Sequence, residues 1–139
     1  LAYSGFKIVR GSVGALMDEL DEGMIEDLVS KFQKYRRPEI IDIHHVRTIR
    51  SGNFYHIDAH VVLPEYWDVL KAHDFLRNFE ADVFKQDFEG ELAFHVDPCK
   101  KSYCRQCGVL NCPVRQHPLQ QIKAFSAKSL TALAAKTNQ

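Results

Sequence analysis

A strand–turn–strand pattern in the middle of the chain constrains its fold more than any other feature. Residues 54–63 alternate apolar and polar side chains, which is the period of a β-strand with one buried face. Residues 40–49 form a second β-prone run, and the four residues between the two runs include a glycine and read as a turn. The sequence therefore predicts a β-hairpin.

The second strand of this hairpin carries metal-capable side chains on one face. Its alternate apolar positions define the buried face: Tyr55, Ile57, Ala59, Val61 and Leu63. Its opposite face holds His56, Asp58 and His60. The first strand carries His44 and His45, which strand alternation assigns to opposite faces. Three metal-capable side chains on one strand face are unusual for a surface that contacts only solvent.

Helical patterns flank the hairpin on both sides. Residues 22–36 predict an amphipathic helix, with Asp21 as its N-cap and Pro38 just beyond its end. Residues 66–88 predict a second helix, because their apolar side chains recur every three to four residues. A third strand is expected at residues 91–97.

The predicted third strand ends in a histidine–aspartate pair. His95 and Asp97 are two residues apart and therefore share a face, and Pro98 ends the strand because it has no N–H for the ladder. Imidazole and carboxylate are ligands that zinc accepts. The alternative is a polar pair on a solvated surface.

The predicted element order is helix, strand, strand, helix, strand. This order indicates an α+β fold, in which a three-stranded mixed sheet carries both helices on one face. The other face would carry five metal-capable side chains: His56, Asp58, His60, His95 and Asp97. An open sheet face must be solvated, paired or metal-bound, so the pattern favours a homodimer, a metal site, or both.

Both ends of the chain lie outside this pattern. Residues 1–20 are expected to be a connector, since their three glycines weaken a helix. Residues 99–139 are expected to form a cysteine-rich knuckle followed by a helix at residues 117–136, with a frayed end.

Four cysteines fall within this extension, in the spacing Cys99-x4-Cys104-x2-Cys107-x4-Cys112. Thiols this close around a Cys-x-x-Cys pair are typical of a structural zinc site with four cysteine ligands, and His117 can substitute for one thiol. An iron–sulfur cluster is an alternative, although the fourth cysteine is much nearer than in plant-type ferredoxins. The remaining alternative is a tail with reduced thiols.

Composition excludes several other classes. The 139 residues contain 18 basic and 18 acidic side chains, and this balance argues against nucleic-acid binding. The chain has no apolar run of the ~18 residues that a membrane helix needs, and no signal-peptide pattern. Seven histidines and four cysteines favour metal binding.

The motifs resemble the cytoplasmic C-terminal domain of the cation diffusion facilitators, which are membrane metal/proton antiporters. The matching segments are His-His-Val-Arg-Thr-Ile-Arg-Ser-Gly (44–52), Ile-Asp-Ala-His (57–60), Lys-Ala-His (71–73) and Phe-His-Val-Asp-Pro (94–98). The resemblance covers about residues 12–99 and does not extend to the cysteine tail.

The resemblance implies a metallochaperone-like, or ferredoxin-like, domain that forms a homodimer and binds zinc at the dimer interface. It implies that residues 1–20 connect to the last transmembrane helix of the same chain, and that residues 21–98 form the metal-binding dimerisation domain, with residues 99–139 as an extension. The domain would lie at the cytoplasmic face of the membrane.

The resemblance also implies a ligand set for zinc: His44, His60, His73, His95 and Asp97. Asp97 is the candidate for a carboxylate that bridges two ions. His45 stands where such proteins often have aspartate, while His56 and Asp58 are further candidates from strand geometry alone. Ligand type favours Zn²⁺, with Cd²⁺, Co²⁺ and Fe²⁺ as alternatives.

The expected function is therefore regulatory and not enzymatic, within a transporter that exports divalent metal. A free-standing metallochaperone or metal sensor of the same fold is one alternative. An enzyme is another, either a zinc hydrolase or an electron carrier that uses the cysteines. Against a hydrolase, the sequence offers no evident general base beside the histidines.

Overall fold

The computed structural model describes residues 2–16, 21–85 and 89–133. Its elements in chain order are α1 (Ala2–Leu16), α2 (Glu22–Tyr35), β1 (Asp42–Ser51), β2 (Phe54–Leu63), α3 (Val69–Phe84), β3 (Glu89–Pro98), a 3₁₀ turn (Lys101–Arg105) and α4 (Ala127–Thr131). The central elements therefore follow the predicted helix, strand, strand, helix, strand order.

The three strands form one mixed sheet in the order β1-β2-β3. Strands β1 and β2 pair antiparallel as a hairpin, and β2 and β3 pair parallel through the α3 crossover. The predicted α+β fold with a three-stranded mixed sheet is confirmed. The hairpin turn contains Gly52 at a φ of 66°, a left-handed conformation that glycine adopts without steric cost.

Helices α2 and α3 cover one face of the sheet and bury the main core against it. Phe32 of α2 and Phe79 of α3 are fully buried, and their ring centroids are 5.7 Å apart. Asp21 caps α2 as predicted, because its carboxylate accepts a hydrogen bond from the backbone N–H of Met24 at 3.1 Å.

Helix α3 begins at Val69, three residues later than predicted. The residues before it form a turn, in which the N–H of Trp67 donates to the carbonyl of Pro64 at 3.1 Å. Asp68 then caps the helix through the backbone N–H of Lys71 at 2.7 Å. The predicted end at residue 88 lies outside the described residues.

Residues 2–16 are helical, although the glycines among them predict a weakened helix, and their role as a connector stays a prediction. Helix α1 contains Gly5, Gly11 and Gly14, and each costs about 1 kcal/mol relative to alanine, so glycines weaken a helix without ending it. Large apolar side chains of α1, among them Tyr3 and Phe6, are exposed. In the described part of the chain, no helix has both the length and the apolar character needed to cross a membrane.

The predicted helix at residues 117–136 is largely wrong, because among residues 117–133, which the structure describes, only Ala127–Thr131 is helical. Tertiary hydrogen bonds take the backbone groups that a longer helix would use: the N–H of Gln120 donates to the carbonyl of Arg105 at 2.7 Å. A capping box between Ser126 and Ser129 then starts α4. The last part of the predicted helix, at residues 134–136, lies outside the described residues.

Candidate metal centre

Three histidines form a row across the sheet, on the face that α2 and α3 leave uncovered. The strand register pairs His44 of β1 with His60 of β2, and His60 with His95 of β3. Their rings stack in sequence, with centroids 5.5 Å apart for the first pair and 5.0 Å for the second. We call these three residues the histidine row.

A β-bulge in β1 adds a fourth imidazole beside this row. The register of β1 and β2 shifts between His44 and Arg47, and His45 has a φ of 54°. As a result, the ring of His45 lies 5.1 Å from that of His60, and Val46 points into the core. The prediction that His44 and His45 lie on opposite faces is therefore wrong, because the bulge adds a residue and interrupts the alternation.

Asp97 brings a carboxylate to the histidine row. Its Oδ2 atom lies 3.0 Å from Nδ1 of His60 and 3.7 Å from Nε2 of His44. One ligand atom from each of these three residues lies within 4.8 Å of the other two. His44 is buried, whereas His60 and Asp97 are partly exposed, so the cluster opens to solvent on one side.

The buried imidazole nitrogens of this cluster lack hydrogen-bond partners in the structure. Both ring nitrogens of His44 and Nε2 of His45 are buried without one. A buried polar atom left without a partner costs about 1–3 kcal/mol, so such atoms are rare unless a ligand or ion satisfies them. Nitrogen and carboxylate donors in this arrangement fit a divalent ion such as zinc.

The electrostatics of the bulge favour neutral imidazole. Burial lowers the pKa of His45, and the positive charges of Arg47 and of the neighbouring histidines lower it further. The neutral ring is the form that binds metal. Asp42, which the sequence did not single out, lies 3.6 Å from Nδ1 of His44, and burial raises the pKa of its carboxyl. Sequence pattern gives no sign of this contact, since it depends on how β1 enters the sheet.

Two further strand candidates lie away from the cluster. His56 is four residues before His60 on β2, a separation of about 13 Å along a strand, and its Nδ1 atom lies 2.7 Å from Oε1 of Glu91. Asp58 is exposed and lines an open groove together with His45. Neither contributes to the convergent group.

His73 lies on the helix-covered side of the sheet. It is exposed on α3 and lines a groove of about 390 Å³ with Trp67, Phe94 and Val96. The histidine row faces the opposite side, so within one chain His73 does not join the other candidate ligands. His95 belongs to the row through its ring contact with His60, although it is outside the tightest three-residue group.

The cysteines lie beyond Pro98, where the extension packs against one end of the sheet. All four are free thiols; Cys104 and Cys107 are buried, and Cys99 and Cys112 are partly exposed. Within the described ranges, no three thiol sulfurs lie within 4.8 Å of one another. His117, in the same extension, is partly exposed.

The fold and the histidine-lined sheet face define the class of protein to which the chain belongs. The family described as the cytoplasmic domain of cation efflux proteins matches residues 19–99, which is more than half of the chain. The chain belongs to this family, and the resemblance to cation diffusion facilitators is confirmed.

Individual relatives are distant in sequence. The uncharacterized transporter sll1263 of Synechocystis sp. is 24% identical over 97 residues, which cover 69% of this chain and 31% of the transporter. This chain thus spans about a third of that relative's length.

Two solved structures of transporter domains align with this chain. A structure of CzrB, a candidate zinc transporter, aligns with a TM-score of 0.50 at 23% identity, over 58% of this chain and 99% of that chain. The metal-bound C-terminal domain of the CzcD transporter from Thermotoga maritima aligns with a TM-score of 0.48 at 23% identity, over 55% of this chain and 87% of that chain.

Proposed function

We propose that this domain is the zinc-binding, dimerising regulatory part of a divalent-metal transporter. The observation that carries the proposal is the convergence of His44, His60 and Asp97, in which both ring nitrogens of His44 are buried without a hydrogen bond. Family membership supports a place on the cytoplasmic side of a membrane transporter. An ion bound there would give a buried nitrogen of His44 a bonding partner and would balance the charge of the Asp97 carboxylate.

The proposed ligands divide between the two faces of the sheet. His44, His60 and Asp97 would hold the ion, with His95 adjacent in the row. His73 lies on the opposite side of the sheet, so it can complete a site only on a second copy of the chain. This division links metal binding to dimerisation, and an ion that binds one dimer arrangement more tightly shifts the population towards it.

Zinc is the ion that the ligand set favours. Imidazole nitrogen with one carboxylate suits zinc among the abundant divalent ions, whereas oxygen-only sites suit magnesium and calcium. Cadmium, cobalt and ferrous iron accept similar ligands, and the ion bound here need not be the ion transported. No residue of the cluster is assigned a catalytic role.

Zinc titration of single variants tests the ligand assignment. We expect His60→Ala to weaken zinc binding by at least tenfold, because it removes the central imidazole of the row. His56→Ala is the matched control, since it removes a histidine from the same strand and the same face away from the cluster. Calorimetric titration at pH 7.5 measures both; equal affinities for the two variants would contradict the assignment.

Mixing two defective variants tests the role of the second copy. His60→Ala and His73→Ala chains should each bind zinc weakly, and a mixed dimer should regain one intact site. No recovery after subunit exchange, with exchange verified by mass spectrometry, would show that His73 does not act across an interface.

A further inference from the structure

The cysteine segment is fixed to the end of the sheet at its start. The N–H of Cys99 donates to the carbonyl of Leu63 at 2.9 Å, which continues the pairing of β3 with β2 by one residue. Cys107 is buried against Ile41 and Val62, and Cys99 packs on the same small apolar cluster. Two of the four thiols therefore belong to one buried cluster at the base of the sheet.

A single guanidinium holds the loops that carry the thiols. Arg115 donates to the carbonyls of Cys104 and Cys107 at 2.9 Å each, to that of Val109 at 2.7 Å, and to that of His117 at 3.3 Å. These bonds span the Cys-x-x-Cys turn and the segment that follows it. They also place a positive charge beside Cys104, which favours the thiolate form of that side chain.

The glycine after the Cys-x-x-Cys pair lies where the turn packs against two neighbouring side chains. A Cβ atom at Gly108 would lie 3.2 Å from Cδ1 of Ile122 and 3.7 Å from Cβ of Pro38. The turn thus packs closely between Pro38, which follows α2, and Ile122 of the returning extension, and Gly108 does not have a positive φ.

The thiols around this turn differ in their electrostatic surroundings. The Sγ atom of Cys104 accepts a hydrogen bond from the N–H of Gln116 at 3.5 Å, and backbone N–H groups are the main reason that the pKa of Cys104 is lowered. Burial raises the pKa of the nearby Tyr66 hydroxyl, and charge on Cys112 raises it further, with smaller contributions from Cys107 and Cys99.

We propose that Cys99, Cys104, Cys107 and Cys112 form a second metal site, for one thiophilic divalent ion such as zinc, separate from the histidine row. Four thiols at this spacing are the donor set of a closed tetrahedral site. Arg115 already holds the turn that carries Cys104 and Cys107, and changes of side-chain rotamer would bring the four sulfurs to the ion. The ion would fasten the extension across the base of the sheet.

The proposed site has a structural consequence for the histidine row. Beyond the cysteines, Phe125 and Leu130 return to the main core, and the carbonyl of Ala132 accepts a hydrogen bond from the N–H of His45 at 3.0 Å. The extension thus runs from the end of β3, next to Asp97, back to the bulge beside His44. A metal-fastened extension would hold both ends of the candidate centre.

Cobalt titration of the chelator-treated full chain tests this inference. Co²⁺ bound to thiolates gives an intense near-ultraviolet charge-transfer band, which imidazole and carboxylate ligands do not give. We expect the band to saturate at one equivalent and to disappear after zinc is added. The double variant Cys104→Ser/Cys107→Ser should lose the band and one equivalent of bound metal, while Ser102→Ala in the same loop should keep both.

The variant His60→Ala separates this site from the histidine row. It should retain the full charge-transfer band, so failure of one site does not imply failure of the other. A band absent from the wild-type chain, or unchanged in the double serine variant with its circular dichroism intact, would overturn the proposal. Iron and acid-labile sulfide that co-purify with the cysteines would also overturn it, in favour of an iron–sulfur cluster.

Discussion

His45 occupies a left-handed backbone conformation, with a φ of 54°, at the point where β1 bulges. Residues other than glycine adopt this conformation at a cost of about 1–2 kcal/mol. The bulge places consecutive histidines on one face and allows Val46 to enter the core. The strain is therefore local to the candidate centre, where the fold gains a fourth imidazole.

Substitutions at His45 report on this strain. We expect His45→Gly to be more stable than His45→Ala by about 1 kcal/mol, because glycine adopts a positive φ without a Cβ clash. At His56, in regular strand geometry, the order should reverse. Urea denaturation measures the four variants; an alanine at position 45 that matched glycine would show that the bulge is not maintained.

The sequence predicted the side-chain directions of part of the site, because two of its strands are regular. Strict alternation along β3 was enough to put His95 and Asp97 on one face, and β2 was regular as well. The bulge at His45 was missed because it depends on the pairing register of two strands, and no glycine marks it. The partnership of Asp42 with His44 was missed for the same reason.

The C-terminal helix α4 docks into the main core through one side chain. Leu130 is 0% exposed and belongs to the core between α2 and the sheet, whereas Leu133 is 72% exposed. Burial of this leucine, together with the hydrogen bond from the N–H of His45 to the carbonyl of Ala132, thus holds α4 against the domain.

A pair of leucine variants tests this docking. Leu130→Ala should lower the free energy of unfolding by about 2–5 kcal/mol, since it removes fully buried methyl groups and leaves a cavity. Leu133→Ala should change it by less than about 0.5 kcal/mol. Chemical denaturation measures both, and equal small effects would mean that α4 does not pack on the core in solution.

The prediction of a helix at residues 117–136 was wrong because the tertiary contacts of this segment outweigh its helical apolar spacing. Its apolar spacing suits a helix, yet Leu119 and Ile122 are about half exposed, and Phe125 is buried with its N–H donated to Oε1 of Gln33 at 3.2 Å. Contacts with α2 and with the cysteine loop determine the backbone conformation of this segment. The periodicity of its apolar residues gives no information about those contacts. By contrast, α2 was predicted to within a residue because Asp21 and Pro38 bound it locally.

An ion-pair cluster joins the ends of α2 and α3. Asp82 lies 2.6 Å from Nζ of Lys85 and 3.0 Å from Nη2 of Arg37. The hydrogen bond from Lys85 is the main cause that lowers the pKa of Asp82, and Arg37 lowers it further. A carboxyl whose pKa is lowered on folding stabilises the fold above its ordinary pKa of about 3.9, and that contribution is lost as the pH falls through the lowered value.

The stability of an Asp82 variant should therefore depend on pH. Asp82→Asn should melt at a lower temperature than the wild type at pH 7, and the difference should narrow as the pH falls through the lowered pKa of Asp82, where the wild-type carboxyl becomes protonated. The effect should be small, because the cluster is near the surface. Asp74→Asn on the same helix is the control, and a difference that persists unchanged at acid pH would contradict the electrostatic explanation.

Over the whole molecule, the candidate ligands lie on two opposite surfaces. The histidine row and Asp97 lie on the uncovered face of the sheet, and His73 lies in the groove beside α3. The sequence predicted this layered fold because each element carries its own periodic signal. The path of the extension across the end of the sheet could not be predicted from local periodicity. It depends on long-range contacts, such as the hydrogen bond that Arg36 donates to the carbonyl of Lys123.

The central claim is that the histidine row holds zinc. Anomalous scattering at the zinc edge, from crystals of the full chain grown with zinc, tests it most directly. We expect a peak within bonding distance of His44, His60 and Asp97, resolved from any peak at the cysteines. Zinc bound elsewhere in the same crystals, with no peak at His60 and Asp97, would contradict the account.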